Sequence, residues 1–133
     1  MGTGAHVKFV FNDDVEAFSF TTDNLGYPDC VGQVIAKTIS DTDIRHFLKL
    51  STNVLAEVSR YLPKRTAVVP SYTKDTPNYL DGISYFYTVA ATSSYENSKY
   101  HVSEVINIEI MYDNKVIFSG DSESLKEFNK KGE

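Results

Sequence analysis

The sequence predicts an α+β fold: a curved antiparallel sheet of about five or six strands, with one long amphipathic helix packed on one face. Two observations predict it. Several short segments alternate apolar and polar residues with the period of a strand, and residues 43–62 repeat apolar residues with the period of a helix. The 133 residues show no internal repeat. We therefore expect a single domain over 1–133, with residues 1–4 either flexible or added to the natural sequence.

The chain opens with a predicted β-hairpin. Apolar side chains share one face in each of two segments: Val7, Phe9 and Phe11 in the first, Phe18 and Phe20 in the second. A turn centred on residues 13–14 pairs Phe9 with Phe18, which brings the two apolar rows to the same side.

The next segment, 22–29, has the composition of a loop. In residues 30–39 the apolar positions have helical spacing, whereas Gly32 and the β-branched residues favour a strand. We predict a helix there and keep the strand as the alternative.

Residues 43–62 form the most regular pattern in the chain. Helix-capping side chains precede the segment in SDTD (40–43), and Pro63 follows it. The apolar residues recur three or four positions apart: Ile44, Phe47, Leu48, Val54, Leu55, Val58 and Leu62. This spacing predicts a helix whose apolar stripe faces the core.

Four strands and a short helix are predicted in the remainder. Residues 66–72 contain Pro70, which lacks a backbone donor and favours an edge position. Residues 83–92 and 99–112 alternate as strands, and 116–120 form a hairpin with the latter. Asp121 caps a helix with Glu123 in its first turn and lysines in its last.

Strand periodicity assigns faces to the tyrosine-rich hairpin. Even positions in 99–112 and odd positions in 83–92 are predicted to face the core. Closing the hairpin through SSYENS (93–98) pairs Tyr87 with Glu104. Tyr85 and Tyr87 are then core residues whose hydroxyls need a polar partner.

Glu104 stands alone in an apolar row, where an unpaired carboxylate is costly. One interpretation is a Tyr87–Glu104 hydrogen bond, or a bulge that turns Glu104 to water. The other is a polar anchor in a pocket between sheet and helix, with Tyr85 and Tyr87 as its walls.

The apex of the 93–98 loop is a second candidate site. Tyr95 and Asn97 offer a large contact area and adaptable hydrogen bonding, as binding loops do. The alternative is an ordinary solvated turn.

Composition limits the partners and the compartment. Thirteen basic and 18 acidic residues give a net charge of −5, which disfavours binding to nucleic acid or anionic membranes. A single cysteine, Cys30, excludes an intramolecular disulfide and a cysteine-based zinc site. The start lacks an apolar signal segment and no run spans a bilayer, so we expect a cytoplasmic protein.

Motifs for catalysis are missing from the sequence. It contains no glycine-rich phosphate loop and no metalloprotease or nucleophile-elbow motif, and the three histidines are far apart. No base can be assigned beside Cys30. We therefore expect no cofactor and no metal, and an enzyme is the less favoured class.

The hypothesis that follows is a non-catalytic interaction protein, of the inhibitor, immunity or adaptor type met among phage or bacterial accessory proteins. Its acidic surface favours a basic protein partner. Two alternatives stay open. One is a small-molecule or nucleotide-binding protein with a pocket between sheet and helix, and the other is a self-assembling structural subunit.

Overall fold

The computed structural model of the chain describes residues 3–11, 15–41, 47–62, 68–71, 83–91, 93–96, 99–102 and 106–131. The strands in these ranges are β1 (Gly4–Phe11), β2 (Val15–Thr22), β3 (Val68–Ser71), β4 (Ile83–Ala91), β5 (Ser93–Glu96), β6 (Lys99–Val102), β7 (Asn107–Tyr112) and β8 (Lys115–Gly120). The helices are α1 (Val31–Asp41), α2 (Phe47–Tyr61) and α3 (Ser122–Lys131).

Six strands form one sheet in the order β3-β2-β1-β4-β7-β8, and β5 pairs with β6 in a separate hairpin. The predicted α+β class is confirmed. The sheet is mixed, because β1 and β4 at its centre run parallel while its other neighbouring strands run antiparallel. The prediction of a wholly antiparallel sheet was therefore wrong. Side-chain alternation has the same period of two in both directions, so the pattern does not encode strand direction.

The N-terminal hairpin has the predicted register. Phe9 pairs with Phe18, and Val7 pairs with Phe20. A bulge follows between Phe9 and Val10, close to the turn. The strand around Pro70 lies at an edge of the sheet as predicted, next to β2.

The predicted register between residues 83–92 and 99–112 was wrong. Tyr87 pairs with Ile110, six residues beyond Glu104, because β5 and β6 form their own hairpin between the two sheet strands. An even shift leaves the faces unchanged. Tyr87, Val89 and Ile108 accordingly lie in the core as predicted.

The described ranges contain a helix at each of the three places where the sequence predicts one. The predicted helix at 30–39 is confirmed as α1, which contacts α2 on one side and α3 on the other. The second predicted helix corresponds to α2, and its proposed start at residue 43 lies outside the described residues. α2 also contacts β2 and β3, whereas α3 contacts β7 and β8.

The core forms between the helices and one face of the sheet. Fully buried side chains come from α1 (Val31, Ile35), α2 (Val54, Val58), α3 (Leu125) and the sheet (Val7, Phe9, Phe20, Tyr87, Ile108, Ile110). None of the helices in the described part of the chain has the length and apolar run needed to cross a membrane.

The end of the chain follows its predicted pattern. β7 and β8 are joined by a two-residue turn in which Asp113 and Asn114 have φ values of 54° and 62°. Two positive φ values are typical of a type I′ turn, which matches the twist of a hairpin. Asp121 caps α3, because its Oδ1 accepts a 2.8 Å hydrogen bond from the Ser124 amide.

Candidate functional site

The loop between β2 and α1, residues 23–30, holds its backbone in a rarely adopted conformation. Leu25 has a φ of 57°, in the left-handed region that costs a non-glycine residue about 1–2 kcal/mol. Its amide donates a 2.8 Å hydrogen bond to Asn24 Oδ1. Such a conformation persists where surrounding contacts enforce it, and it occurs often at functional sites. We refer to residues 23–30 as the β2–α1 loop.

Three other parts of the fold anchor the β2–α1 loop. The Gly26 amide donates a 2.8 Å hydrogen bond to the Thr3 carbonyl, beside β1. The Gly26 carbonyl accepts a 2.6 Å hydrogen bond from the Tyr87 hydroxyl of β4. From α3, the Asn129 amide nitrogen donates to the Pro28 carbonyl at 2.9 Å. The loop is therefore held in place before any partner or ligand arrives.

Close packing makes glycine necessary at one point in this loop. A Cβ added at Gly26 would lie 2.7 Å from the Gly4 carbonyl carbon and 2.8 Å from Ala5 Cβ. Because these contacts are with β1 and largely with its backbone, a side chain could enter only if the loop moved away from the sheet.

Tyr87 holds the β2–α1 loop from the core side. The side chain is fully buried, and burial raises the pKa of its hydroxyl well above the usual value. The hydroxyl therefore remains a neutral donor to Gly26. The sequence predicted a polar partner for this buried tyrosine. That partner is a loop carbonyl, and the predicted opposition of Tyr87 and Glu104 is replaced by the pairing with Ile110.

Tyr85 joins two further tyrosines at the surface. Its ring lies 4.8 Å from the Tyr112 ring, centroid to centroid, at an angle of 31°. On the other side it meets the Tyr27 ring edge-to-face at 5.7 Å and 62°. Tyr85 is half-buried, whereas Tyr27 and Tyr112 are 42% and 45% exposed. We call Tyr27, Tyr85 and Tyr112 the tyrosine cluster.

The cluster is fixed to the β2–α1 loop and to the sheet. The Tyr27 and Thr3 hydroxyls lie 3.1 Å apart and share a hydrogen bond. Burial raises the pKa of Tyr85, and the neighbouring Tyr112, Tyr27 and Asp29 raise it further. Negative charge is therefore disfavoured at the Tyr85 hydroxyl.

The groove between α1 and α2 is a second candidate site. Two adjoining cavities of about 360 and 230 Å³ meet at Lys37, Thr38 and Tyr61. Lys37 Nζ and Arg60 Nη2 lie 3.2 and 3.3 Å from the Tyr61 hydroxyl, and both cations stack over its ring at 5.2 Å. These hydrogen bonds and charges lower the pKa of Tyr61.

Cys30 borders this groove but is not activated as a nucleophile. Burial raises the pKa of its thiol, and the adjacent Asp29 carboxylate raises it further. The thiol also donates a weak hydrogen bond to Asp29 Oδ1 at 3.6 Å. Within the described ranges, no three His, Cys, Asp or Glu side chains gather closely enough to hold a metal ion.

The predicted site residues fall into three groups. Tyr85 and Tyr87 both contact the β2–α1 loop, one at the surface and one in the core. The backbone of Tyr95 pairs with Tyr100 in the β5–β6 hairpin. Asn97 and Glu104 lie outside the described residues, so their proposed roles remain predictions.

Sequence reasoning predicted a loop at 22–29 but did not identify Tyr27, Tyr112 or the loop as parts of a site. A signal was present in the segment DNLGYPDCVG, where two glycines six residues apart flank a Tyr-Pro pair between a strand and a helix. Glycines in such a place indicate close backbone approach. In comparisons with protein-family models, curated proteins and solved structures, the chain matches none, so its function is argued from its own residues.

Proposed function

We propose that the protein is a non-catalytic interaction protein that binds another protein through its tyrosine cluster. One observation carries the proposal: Tyr27 and Tyr112, both nearly half exposed, flank Tyr85, and Tyr27 lies in a loop anchored by three parts of the fold. Tyrosine supplies a large contact area with few rotatable bonds and is enriched in the energetic centres of interfaces.

The anchoring favours binding as well as stability. A contact surface that is already ordered loses little conformational freedom on association, so more of the contact energy appears as affinity. The Gly26 and Pro28 hydrogen bonds supply this order to Tyr27, which lies between them in the chain.

The experiment is affinity capture from a lysate of the host, followed by quantitative binding to the captured protein. We expect Tyr112→Ala to weaken binding at least tenfold, or about 1.4 kcal/mol, as at an interface hot spot. Tyr61→Ala is the matched control, because Tyr61 is 49% exposed but lies on α2, outside the cluster. Equal capture by the wild type and Tyr112→Ala would refute this surface.

The segment 93–98 is a further contact predicted from sequence, through Tyr95 and Asn97. Replacing both residues by alanine tests it in the same assay. A loss of binding with an unchanged melting temperature is expected if the segment contributes, whereas unchanged affinity would confine binding to the cluster.

A small-molecule binding protein is the second candidate, and the α1–α2 groove favours it. The two adjoining cavities are lined by Lys37, Asn53, Glu57 and Arg60 among other residues, which offer both donors and acceptors. A bound ligand would raise the melting temperature by mass action on the native state. A metabolite and nucleotide screen without such a shift would count against this function.

Self-assembly through sheet edges is the less favoured alternative. The edge strand β3 contains Pro70, and the other edge strand, β8, is interrupted by a bulge opposite Ile110 and Met111. Proline and bulges both hinder the pairing of an edge with another strand. A homo-oligomer in native mass spectrometry would reverse this ranking.

A further inference from the structure

The described part of the chain contains exposed tyrosine rings in two different electrostatic settings. Tyr61 on α2 is covered by the cations of Lys37 and Arg60, each 5.2 Å from its ring centroid. The cation–ring contacts of the described residues fall on Tyr61 and not on the tyrosine cluster. Tyr27 and Tyr112 are nonetheless about as exposed as Tyr61.

Carboxylates are placed next to the cluster. Asp29 is exposed in the β2–α1 loop two residues after Tyr27, and Asp113 is exposed in the turn directly after Tyr112. Lys115, the cross-strand neighbour of Tyr112, carries a positive charge next to the cluster. The two carboxylates outnumber it, so the local balance is acidic, as is the whole chain with its net charge of −5.

The Tyr85 hydroxyl lies near one of these carboxylates. Burial raises the pKa of Tyr85, and the neighbouring tyrosines and the Asp29 carboxylate raise it further. The Asp29 carboxylate, which opposes a negative charge at this hydroxyl, attracts a positive one. The faces of tyrosine rings attract cations as well, by about 0.5–2 kcal/mol depending on desolvation.

We infer that the tyrosine cluster receives a positively charged side chain, arginine or lysine, from the bound partner, with Asp29 and Asp113 flanking it. This inference rests on the proposed function and specifies the chemistry of the partner at that surface. In the complex, Tyr27 and Tyr112 acquire the type of contact that Tyr61 already makes within the chain.

The test uses two short synthetic peptides that are identical except that one carries arginine and the other citrulline, which has the same shape without the charge. Aromatic NMR signals of the intact protein are followed during titration at low ionic strength. We expect the Tyr27 and Tyr112 ring signals to shift with the arginine peptide and much less with the citrulline peptide. The Tyr61 signals should stay in place.

Charge-neutral variants test the flanking carboxylates. Asp29→Asn and Asp113→Asn should each weaken arginine-peptide binding by about twofold to fivefold, the range of exposed ion pairs. Salt should weaken wild-type binding in the same direction. Glu57→Gln is the control, since Glu57 is a partly exposed carboxylate on α2, beside Arg60.

The outcomes separate this inference from the proposed function. Equal shifts with both peptides, no shift with either, or unchanged binding by both aspartate variants would overturn cation recognition. The proposed function would survive that result if Tyr112→Ala still lost the captured protein partner. If Tyr112→Ala retained the partner while the peptide results were as expected, the cluster would be a cation site and the proposed protein interface would fall.

Discussion

Tyr87 connects the core of the sheet to the surface loop through one hydroxyl group. The ring fills space beside Gly32 of α1, where an added Cβ would lie 3.3 Å from Tyr87 Cε2, and the hydroxyl reaches the Gly26 carbonyl. A buried tyrosine with a satisfied hydroxyl differs from phenylalanine by one hydrogen bond and a small change in volume. The contribution of that bond can therefore be measured by a single substitution.

We expect Tyr87→Phe to lower the free energy of unfolding by about 1–2 kcal/mol, because Gly26 loses a buried donor. Tyr61→Phe, which removes an exposed hydroxyl, should change it by less than about 0.5 kcal/mol. Urea unfolding of the three proteins measures both values. A Tyr87→Phe variant as stable as the wild type would mean that water or another group replaces the lost donor.

At the scale of elements, α3 begins with a cap whose strength depends on pH. The Ser124 amide hydrogen bond lowers the pKa of Asp121 below its usual value of 3.8. A carboxyl group with a depressed pKa stabilises the folded helix end above its unfolded pKa. That contribution is lost as the pH falls through the folded value.

Hydrogen exchange at the Ser124 amide should therefore report protonation of Asp121. Protection of this amide is expected to fall as the pH is lowered through the pKa of Asp121, after correction for intrinsic exchange. Asp121→Ala should remove both the protection and its pH dependence, because no side chain remains to accept the bond. Glu123→Gln keeps the cap and should behave like the wild type; identical profiles for all three proteins would contradict the role of Asp121.

The sequence predicted the register of the N-terminal hairpin, but it did not predict the register between β4 and β7. Alternation placed Tyr87, Val89 and Ile108 on the buried face, which is confirmed, but it also placed Tyr112 there, and Tyr112 is 45% exposed at the end of β7. Any even shift in register preserves that alternation, so the true pairing of Tyr87 with Ile110 satisfies it as well as the predicted pairing did. The difference lies in the local β5–β6 hairpin: β5 occupies the loop predicted at 93–98, and β6 occupies the start of the strand predicted at 99–112.

The candidate site was harder to predict than the fold, because its parts come from distant segments. Tyr85 was identified on its own strand, but Tyr27 and Tyr112 reach it from a loop and from another strand. Their meeting depends on the register and on the positive φ of Leu25, neither of which has a distinct sequence pattern. Local composition predicted the loop but did not indicate that its Tyr27 contacts Tyr85.

At the scale of the molecule, a histidine near the centre of the sheet links stability to pH. His6 in β1 is buried, its Nδ1 lies 3.3 Å from Thr21 Oγ1, and its ring lies 6.3 Å from the Phe86 ring. Burial lowers the pKa of His6 below its usual value of 6.5, and the nearby Lys8 lowers it further. The folded state therefore favours the neutral imidazole.

The free energy of unfolding should consequently fall as the pH drops below 6.5. In that range the unfolded chain binds a proton at His6 more readily than the folded chain does. Melting temperatures measured on either side of pH 6.5 test this. His6→Gln should show a smaller decrease over the same range, whatever its absolute stability. An unchanged slope would assign the pH dependence to other groups.

The parallel pairing of β1 with β4 has a consequence for biosynthesis. Ala5 pairs with Tyr85, so the centre of the sheet cannot close until most of the chain has left the ribosome. Until then the N-terminal hairpin presents Val7, Phe9 and Phe20, all fully buried in the finished protein, without their cover. Contacts so distant in sequence slow folding and lengthen the exposure of such surfaces. We therefore expect these hydrophobic residues to stay exposed for longer during synthesis than they would in a fold built from local contacts.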